Sequence, residues 1–176
     1  FRDDKDSIIL TDLNWSNYTL IFKHNLGCEL DQFSLFNGSG DGFNVAGLKE
    51  KLSETKKAVV LLNFPNNPTG YSLTKKEYDA VSKVFLDYAK KGGKAVVICD
   101  DAYYGLFYED NVAKESLFAC LGNLHENIGV AKVDGPTKES YVWGLRVGCL
   151  TFAAKGMNEE QLSAISEKGV GVIRSC

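Results

Sequence analysis

The chain has 176 residues, which is enough for one domain with a substantial core and too few for two full domains. Apolar residues make up 44% of the chain and charged residues 24%, proportions typical of globular proteins, which argues against a disordered or fibrous protein. The formal net charge is −3 without a Lys/Arg cluster, and no apolar run approaches a bilayer span, so we expect neither a nucleic-acid nor a membrane partner.

The first residue and the cysteines bear on the origin and compartment of the chain. Residue 1 is Phe1 and the single methionine is Met157, so the chain is interpreted as an internal piece of a longer protein rather than a mature processed chain. The sequence does not open with an apolar segment, so nothing in it predicts a signal peptide. The five cysteines are odd in number and lack metal-ligand spacing, which predicts a reducing, cytoplasmic compartment, no disulfide and no metal site. Cys99, Cys120 and Cys149 lie in or beside apolar runs and are expected to be buried.

Alternating apolar runs and amphipathic segments predict the secondary structure. Strands are predicted over residues 28–36, 58–62, 95–99, 128–133 and 148–152, and helices over residues 43–52, 75–91, 115–121 and after Asn158. Continuous apolar strands separated by helices predict a mostly parallel sheet with helices on both faces, so the fold class is α/β. Residues 38–42 are rich in glycine but lack the spacing of a phosphate-binding loop, and are interpreted as a surface turn.

The helix over residues 75–91 has the clearest boundaries. Thr74 and Glu77 have the spacing of a capping box, and Gly92 and Gly93 end the helix. Apolar side chains recur every three or four residues along it, which predicts one buried face. These side chains are Tyr78, Val81, Phe85 and Tyr88.

Polar residues follow three of the predicted strands directly. The strands continue into residues 63–70, 100–105 and 134–138, which contain asparagine, aspartate, tyrosine and lysine. Because ligands bind outside the carboxyl ends of parallel strands, we expect these side chains to converge at one edge of the sheet.

Taken one at a time, these residues have simpler interpretations. Residues 67–70 have the composition of an ordinary turn, and Asp100 can cap the segment that follows it. A single lysine such as Lys138 is most often a surface residue. Trp15 and Tyr18 are typical core aromatics. The order in which the residues follow one another is more specific than any of them alone.

Taken together, the segments resemble the class I/II, or aspartate-type, aminotransferases, which are fold type I enzymes that depend on pyridoxal 5'-phosphate (PLP). The matching segments are Trp15–Asn17–Tyr18, Asn66-Asn67-Pro68-Thr69-Gly70, Asp100-x-Ala102-Tyr103, and Lys138 with Gly144-Leu145-Arg146-x-Gly148. The resemblance spans nearly the whole chain. It implies that residues 1–176 are the central part of a single large PLP-binding domain, truncated at both ends, without the upstream phosphate loop and the downstream small domain.

The resemblance implies a role for four residues around the cofactor ring. Lys138 resembles the lysine that binds the PLP aldehyde covalently and later moves a proton. Asp100, which we prefer over the adjacent Asp101, resembles the aspartate that pairs with the pyridine nitrogen. Tyr103 and Asn67 resemble the two donors to the 3-oxygen of the ring, and Asn67 is also expected to contact the substrate carboxylate.

Further residues complete the site that the resemblance implies. Arg146 resembles the phosphate-binding arginine, whose planar fork suits bidentate contacts. Trp15 resembles the aromatic residue that stacks on the ring beside the substrate. Gly135 stands where many members carry a phosphate-binding serine, which leaves Thr137 as the nearest hydroxyl. Arg174 falls where some aspartate-preferring members place an arginine that contacts the substrate side chain.

The function implied by the resemblance is exchange of an amino group between an amino acid, aspartate or aromatic in type, and a 2-oxo acid. It implies a homodimeric parent protein, whereas the isolated chain is expected to be inactive and to associate through exposed sheet edges. Two alternatives share these motifs. One is another fold type I PLP enzyme, such as a lyase, decarboxylase or synthase, and the other is the aminotransferase-like sensor domain of a transcriptional regulator. The Asn67–Pro68 bond is also a candidate cis peptide bond.

Overall fold

A computed structural model of the chain describes residues 7–175, and six strands within this range form one sheet. The strands are β1 (Ser7–Thr11), β2 (Glu29–Phe33), β3 (Lys57–Asn63), β4 (Lys94–Asp100), β5 (Ile128–Asp134) and β6 (Cys149–Ala154). Their spatial order is β2-β1-β3-β4-β5-β6, and β1 to β5 pair in parallel, whereas β6 runs antiparallel to β5. This topology confirms the predicted α/β class and its mostly parallel sheet.

Helices connect and cover the strands. They are α1 (Val45–Ser53), α2 (Lys75–Lys90), α3 (Leu117–Leu121), α4 (Pro136–Glu139), α5 (Glu159–Arg174), a π-helix (Thr19–Asn25) and a 3-10 turn (Trp143–Leu145). The sequence correctly predicted α1, α2, α3 and α5, with boundaries shifted by up to two residues. It did not predict β1 or the π-helix. The apolar run of β1 is only three residues long, too short for its periodicity to distinguish a strand from a helix.

Helix α2 begins as the sequence predicts. The Thr74 hydroxyl accepts a hydrogen bond from the Glu77 N–H, and the Glu77 carboxylate accepts from the Thr74 N–H at 2.8 Å. The same carboxylate accepts from the Phe43 N–H at 2.6 Å and from the Tyr71 hydroxyl at 2.9 Å. Gly92 follows the helix with a φ of +85°, a conformation that favours glycine. Glu77 therefore fixes both the start of α2 and the loop in front of α1.

Helices lie on both faces of the sheet, as predicted, although they cover the second face only in part. On one face, α1, α2 and α3 bury a large cluster whose fully buried side chains include Leu48, Leu52, Val60, Val81, Phe85, Val97, Leu121 and Ile128. On the other face, the π-helix lies beside a smaller cluster of Ile8, Leu10, Tyr18, Cys28, Val59 and Leu61. Ile165 of α5 lines an apolar groove of about 340 Å³ on this second face.

Phe85 is the largest side chain that the fold buries completely, so its truncation tests the core directly. We expect Phe85→Ala to lower the free energy of unfolding by roughly 3–5 kcal/mol, because it removes buried apolar surface and leaves a cavity. Urea denaturation of the variant and the wild type measures this difference. Tyr108, which is 87% exposed, provides the control: Tyr108→Ala should stay within about 0.5 kcal/mol. Equal losses in the two variants would contradict the packing described here.

The remaining sequence predictions have mixed outcomes. Cys99 is buried and Cys120 is partly buried, but Cys149 on β6 is exposed, so its predicted burial was wrong. Its apolar run belongs to an edge strand that the described residues leave uncovered. Cys176 lies outside the described residues. Residues 38–42 form an exposed turn except for Gly42, close to the prediction. Within residues 7–175, no helix has the length and hydropathy needed to cross a membrane.

Candidate active site

A cavity of about 190 Å³ lies at the carboxyl edge of the sheet. It is lined by Trp15, Tyr18, Asn63, Asn67, Asp100, Ala102, Tyr103 and Lys138. Asn63 of β3, Asp100 of β4 and Val133 of β5 are in register, so the loops that follow these strands leave the sheet at the same edge. The structure thus brings together five of the predicted site residues: Trp15, Asn67, Asp100, Tyr103 and Lys138.

Asp100 is the last residue of β4, and its carboxylate faces the cavity. The Tyr18 hydroxyl donates a short hydrogen bond to Oδ2, and the Ala102 N–H donates to Oδ1 at 3.0 Å. Burial, followed by the nearby Asp100 charge, raises the pKa of Tyr18, so this hydroxyl remains a donor. Tyr18 does pack in the core as predicted, but its hydroxyl is a polar contact of the site that sequence reasoning missed. The sequence connected Tyr18 with the site only through its position in the matching segment that also contains Trp15.

Asp101, the next residue, lies on the opposite side of the strand, as expected for a period of two. It is 4% exposed, and its Oδ2 has no hydrogen-bond partner among the described residues, although the Lys132 ammonium lies 4.0 Å away. Burial raises the pKa of Asp101 to about 6; Ser116 and Lys132 lower it, and the charges of Asp134 and Asp100 raise it. Asp100 therefore lines the cavity and Asp101 does not.

The raised pKa of Asp101 makes stability depend on pH. Its carboxyl group binds a proton more tightly in the folded state than in the unfolded state, where the pKa is 3.8. The stabilisation from this proton is therefore complete below about pH 4 and is lost as the pH rises through 6. We expect Asp101→Asn to gain stability relative to the wild type between pH 4 and pH 8, by on the order of 2–3 kcal/mol.

Thermal unfolding across this pH range measures the effect. The exposed Asp87 provides a matched control, since Asp87→Asn should follow the wild-type pH profile. A constant difference between Asp101→Asn and the wild type from pH 4 to pH 8 would contradict the predicted linkage.

Asparagine side chains fasten the turn that carries Asn67. The buried Asn63 amide donates to the Asp100 carbonyl at 2.8 Å, and its oxygen accepts from the Asn67 N–H at 2.8 Å. The Asn66 oxygen accepts from the Thr69 hydroxyl at 2.6 Å, and its amide donates to the Leu13 carbonyl at 3.2 Å. Asn63 was not predicted as a site residue, although a buried asparagine at the end of an apolar strand is itself a signal. The Asn67–Pro68 bond is cis.

Lys138 lies on the short helix α4 at the same edge of the sheet. Its Nζ lies 5.1 Å from the centroid of the Tyr103 ring, within cation–π range. The helix follows Gly135, whose N–H donates to the Asp134 carboxylate at 2.7 Å. A Cβ at Gly135 would lie 2.8 Å from the Val147 carbonyl, so the close approach of the backbone requires glycine there. This explains why Gly135 stands at the position where a serine was expected.

Three predicted site residues do not line the cavity. Thr137 is partly exposed on α4, and Arg146 is exposed in a left-handed conformation with a φ of +49°. Arg174 is exposed as the last residue of α5. Their roles in phosphate or substrate binding stay predictions. Within residues 7–175, no group of His, Cys, Asp and Glu side chains is placed to hold a metal ion.

The fold and the cavity define a mostly parallel α/β protein with a candidate ligand site, lined by ionisable side chains, at the carboxyl edge of its sheet. A sequence profile of the family "Aminotransferase class I and II" matches residues 1–169, and the chain belongs to this family.

Solved structures show the same likeness. An aminotransferase from Anaerococcus prevotii shares 28% identity with a TM-score of 0.78, over 92% of this chain and 40% of that one. An aromatic-amino-acid aminotransferase from Burkholderia pseudomallei, covalently bound to pyridoxal phosphate, shares 23% identity with a TM-score of 0.70, over 92% of this chain and 39% of that one. Alanine aminotransferase from Pyrococcus furiosus shares 23% identity with a TM-score of 0.71, over 99% of this chain and 41% of that one. The chain thus spans about two fifths of the length of these structures.

The chemistry of the lining residues fits the ring of PLP. A carboxylate at Asp100 can hold a proton on a pyridine nitrogen, and the amide of Asn67 and the phenol of Tyr103 can donate to a ring oxygen. Lys138 could supply an amine for the aldehyde. Trp15 is 39% exposed and makes an edge contact with Tyr18 at 5.6 Å between ring centroids, so part of its surface is accessible at the cavity. Lys138 is the only cation among the described lining residues, so this cavity matches the ring better than the phosphate.

Proposed function

We propose that this protein is a PLP-dependent aminotransferase and that Lys138 and Asp100 are its central cofactor-binding residues. The observation that carries the proposal is the meeting of Lys138, Asp100, Asn67 and Tyr103 in one cavity at the carboxyl edge of the sheet. Membership of the aminotransferase family supports the reaction class.

When bound, PLP supplies an electron sink that stabilises negative charge at the substrate Cα. The Lys138 amine would bind the cofactor aldehyde and could also carry a proton to and from that carbon. The Asp100 carboxylate holds a proton on the ring nitrogen, and the Tyr18 hydroxyl orients this carboxylate. Asn67 and Tyr103 would orient the ring by donating to its oxygen, and Trp15 would contact the ring.

The substrates in this proposal are an amino acid and a 2-oxo acid. Asn67 contacts the substrate carboxylate beside Trp15, while Arg146, Thr137 and Arg174 act in phosphate and substrate binding. Solved structures with the same fold include aromatic-amino-acid, alanine and aspartate aminotransferases. The proposal includes a cytoplasmic homodimer in which residues 1–176 belong to the large domain.

The first test of the proposal is chemical labelling of the lysine. The intact protein is incubated with PLP, reduced with borohydride and digested, and the peptides are analysed by mass spectrometry. We expect a pyridoxyl adduct mainly on Lys138. Labelling scattered over exposed lysines such as Lys49 and Lys155, or its absence, would overturn the assignment.

A product assay then tests the reaction class. The intact protein is incubated with an amino acid and 2-oxoglutarate, and the products are separated. Formation of glutamate is the expected result. Release of ammonia, carbon dioxide or a thiol would instead identify a lyase, a decarboxylase or another reaction of the same cofactor.

A further inference from the structure

Outside the cavity lining, three charged side chains form a cluster that has no part in the proposed reaction. The Lys132 ammonium lies 2.7 Å from the Asp134 carboxylate and 4.0 Å from that of Asp101. Asp101 is 4% exposed, and the side chains of Lys132 and Asp134 are 22% and 25% exposed. Partly buried charges such as these contribute little to the free energy of folding, because the cost of desolvation offsets much of their mutual attraction. The placement of the cluster suggests a different role.

The cluster lies where regular pairing between β4 and β5 ends. The last paired residues are Asp100 and Val133, and the Asp101 N–H donates to the Val133 carbonyl at 2.9 Å. Beyond this point, the loop with Tyr103 and the turn with Lys138 leave the sheet separately. The backbone ladder alone therefore does not set the distance between these two segments.

Lys132 contacts both segments. Its ammonium lies 5.4 Å from the centroid of the Tyr104 ring, next to Tyr103, and the Tyr104 hydroxyl donates to the Lys114 carbonyl at 3.2 Å. On the other side, Lys132 pairs with Asp134, whose second oxygen accepts from the Gly135 N–H at 2.7 Å. That N–H begins the turn of α4, which carries Lys138.

We propose that Asp101, Lys132 and Asp134 form a positioning triad that holds the Lys138 turn against the loop that carries Asp100 and Tyr103. Lys132 is the central member, because it is the cation that both carboxylates share. The three residues do not line the cavity, so the triad acts through the placement of these other residues. The naming of Lys138 and Asp100 as catalytic groups rests on the proposed function, whereas the mechanical link between the two segments does not.

Hydrogen–deuterium exchange of the full chain without added cofactor tests the mechanical link. Lys132→Met removes the cation but keeps an unbranched side chain, and Lys132→Arg keeps the charge. We expect Lys132→Met to lose protection at the hydrogen-bonded amides of residues 101, 102, 104, 135 and 140, while the amides of α2 keep theirs. Lys132→Arg should restore protection. Lys94→Met, at the opposite end of β4, provides the matched control and should match the wild type.

Kinetics of the intact protein with PLP distinguish positioning from simple structural support. Because a misplacement of about 1 Å can cost a factor of roughly 100, we expect Lys132→Met to lower kcat by roughly 10- to 100-fold. KM should change little, and Lys132→Arg should recover most of kcat. If Lys132→Met does not fold, Asp134→Asn is the second variant, since it removes the charge but keeps an oxygen for the Gly135 N–H.

The outcomes separate the two proposals. A folded Lys132→Met variant with wild-type exchange at the amides of residues 135 and 140 and wild-type kcat would overturn the triad. Lys132→Arg behaving as badly as Lys132→Met would overturn it as well, because shape and not charge would then matter. If the wild type binds PLP but forms no new amino acid, the proposed function fails, and the exchange data alone decide the triad.

Discussion

Replacing Lys138 with alanine is expected to lower transamination roughly 10⁴-fold, the largest effect of any substitution proposed here. The Lys138 amine has two tasks in the proposed reaction: it binds the cofactor aldehyde, and it moves a proton at the substrate Cα. Its Nζ lies over the Tyr103 ring in the cavity that Asp100 also lines, so no other described lining residue can supply an amine. Initial rates with an amino acid and 2-oxoglutarate, at saturating PLP, measure the loss.

A control variant separates this effect from a general loss of positive charge. Lys155 is exposed just after β6 and does not line the cavity, so Lys155→Ala should keep wild-type activity. Borohydride labelling should also lose its main site in Lys138→Ala and keep it in Lys155→Ala. Wild-type turnover by a folded Lys138→Ala variant would show that the reaction uses a different amine.

Asp100→Asn is expected to lower kcat/KM by roughly 10²–10³-fold, the second largest effect. Asparagine keeps much of the shape of the side chain but loses the charge that holds a proton on the ring nitrogen. Both oxygens of Asp100 accept hydrogen bonds, one from the Tyr18 hydroxyl and one from the Ala102 N–H. Asparagine replaces one of these acceptors with an N–H donor, so one of the two hydrogen bonds is lost. Steady-state kinetics and the affinity for PLP measure the change.

The adjacent aspartate gives a matched comparison for the same substitution. Asp101→Asn changes the same chemical group one residue away but on the other side of the strand, and should lower activity less than Asp100→Asn. Tyr18→Phe should also have a smaller effect, because it removes one donor to Asp100 and leaves the charge. A greater loss in Asp101→Asn than in Asp100→Asn would mean that the cofactor-facing carboxylate has been assigned to the wrong residue.

Local signals account for most of the elements that were predicted correctly. Helix α2 begins at the capping box of Thr74 and Glu77 and ends before Gly92. Each of these signals involves only neighbouring residues, so the boundaries of α2 could be predicted. The apolar runs of β3, β4 and β5 are long enough to identify buried strands. In contrast, β1 has a short apolar run, and the orientation of β6 depends on how the chain returns to the sheet.

The site shows the same division. The convergence of Asn67, Asp100 and Lys138 could be predicted, because the carboxyl ends of parallel strands meet at one edge of the sheet. The hydrogen bond from Tyr18 to Asp100 joins residues 82 positions apart in the chain, so no local pattern could indicate it. Arg146 matches the family motif and Thr137 is the hydroxyl nearest to the missing serine, but their places outside the cavity lining became visible only in the structure.

The sequence by itself therefore determined the α/β class, the family resemblance and the types of side chain at the carboxyl edge of the sheet. These depend on hydrophobic periodicity, capping residues and short motifs, all of which act over a few neighbouring residues. The family resemblance favoured Asp100 over Asp101, but only the tertiary structure showed that Asp100 lines the cavity, that the Tyr18 hydroxyl donates to it, and that Lys132 contacts residues at or beyond the ends of both β4 and β5. Such contacts depend on strand register and on which face each side chain occupies, and both are set only when distant segments pack together.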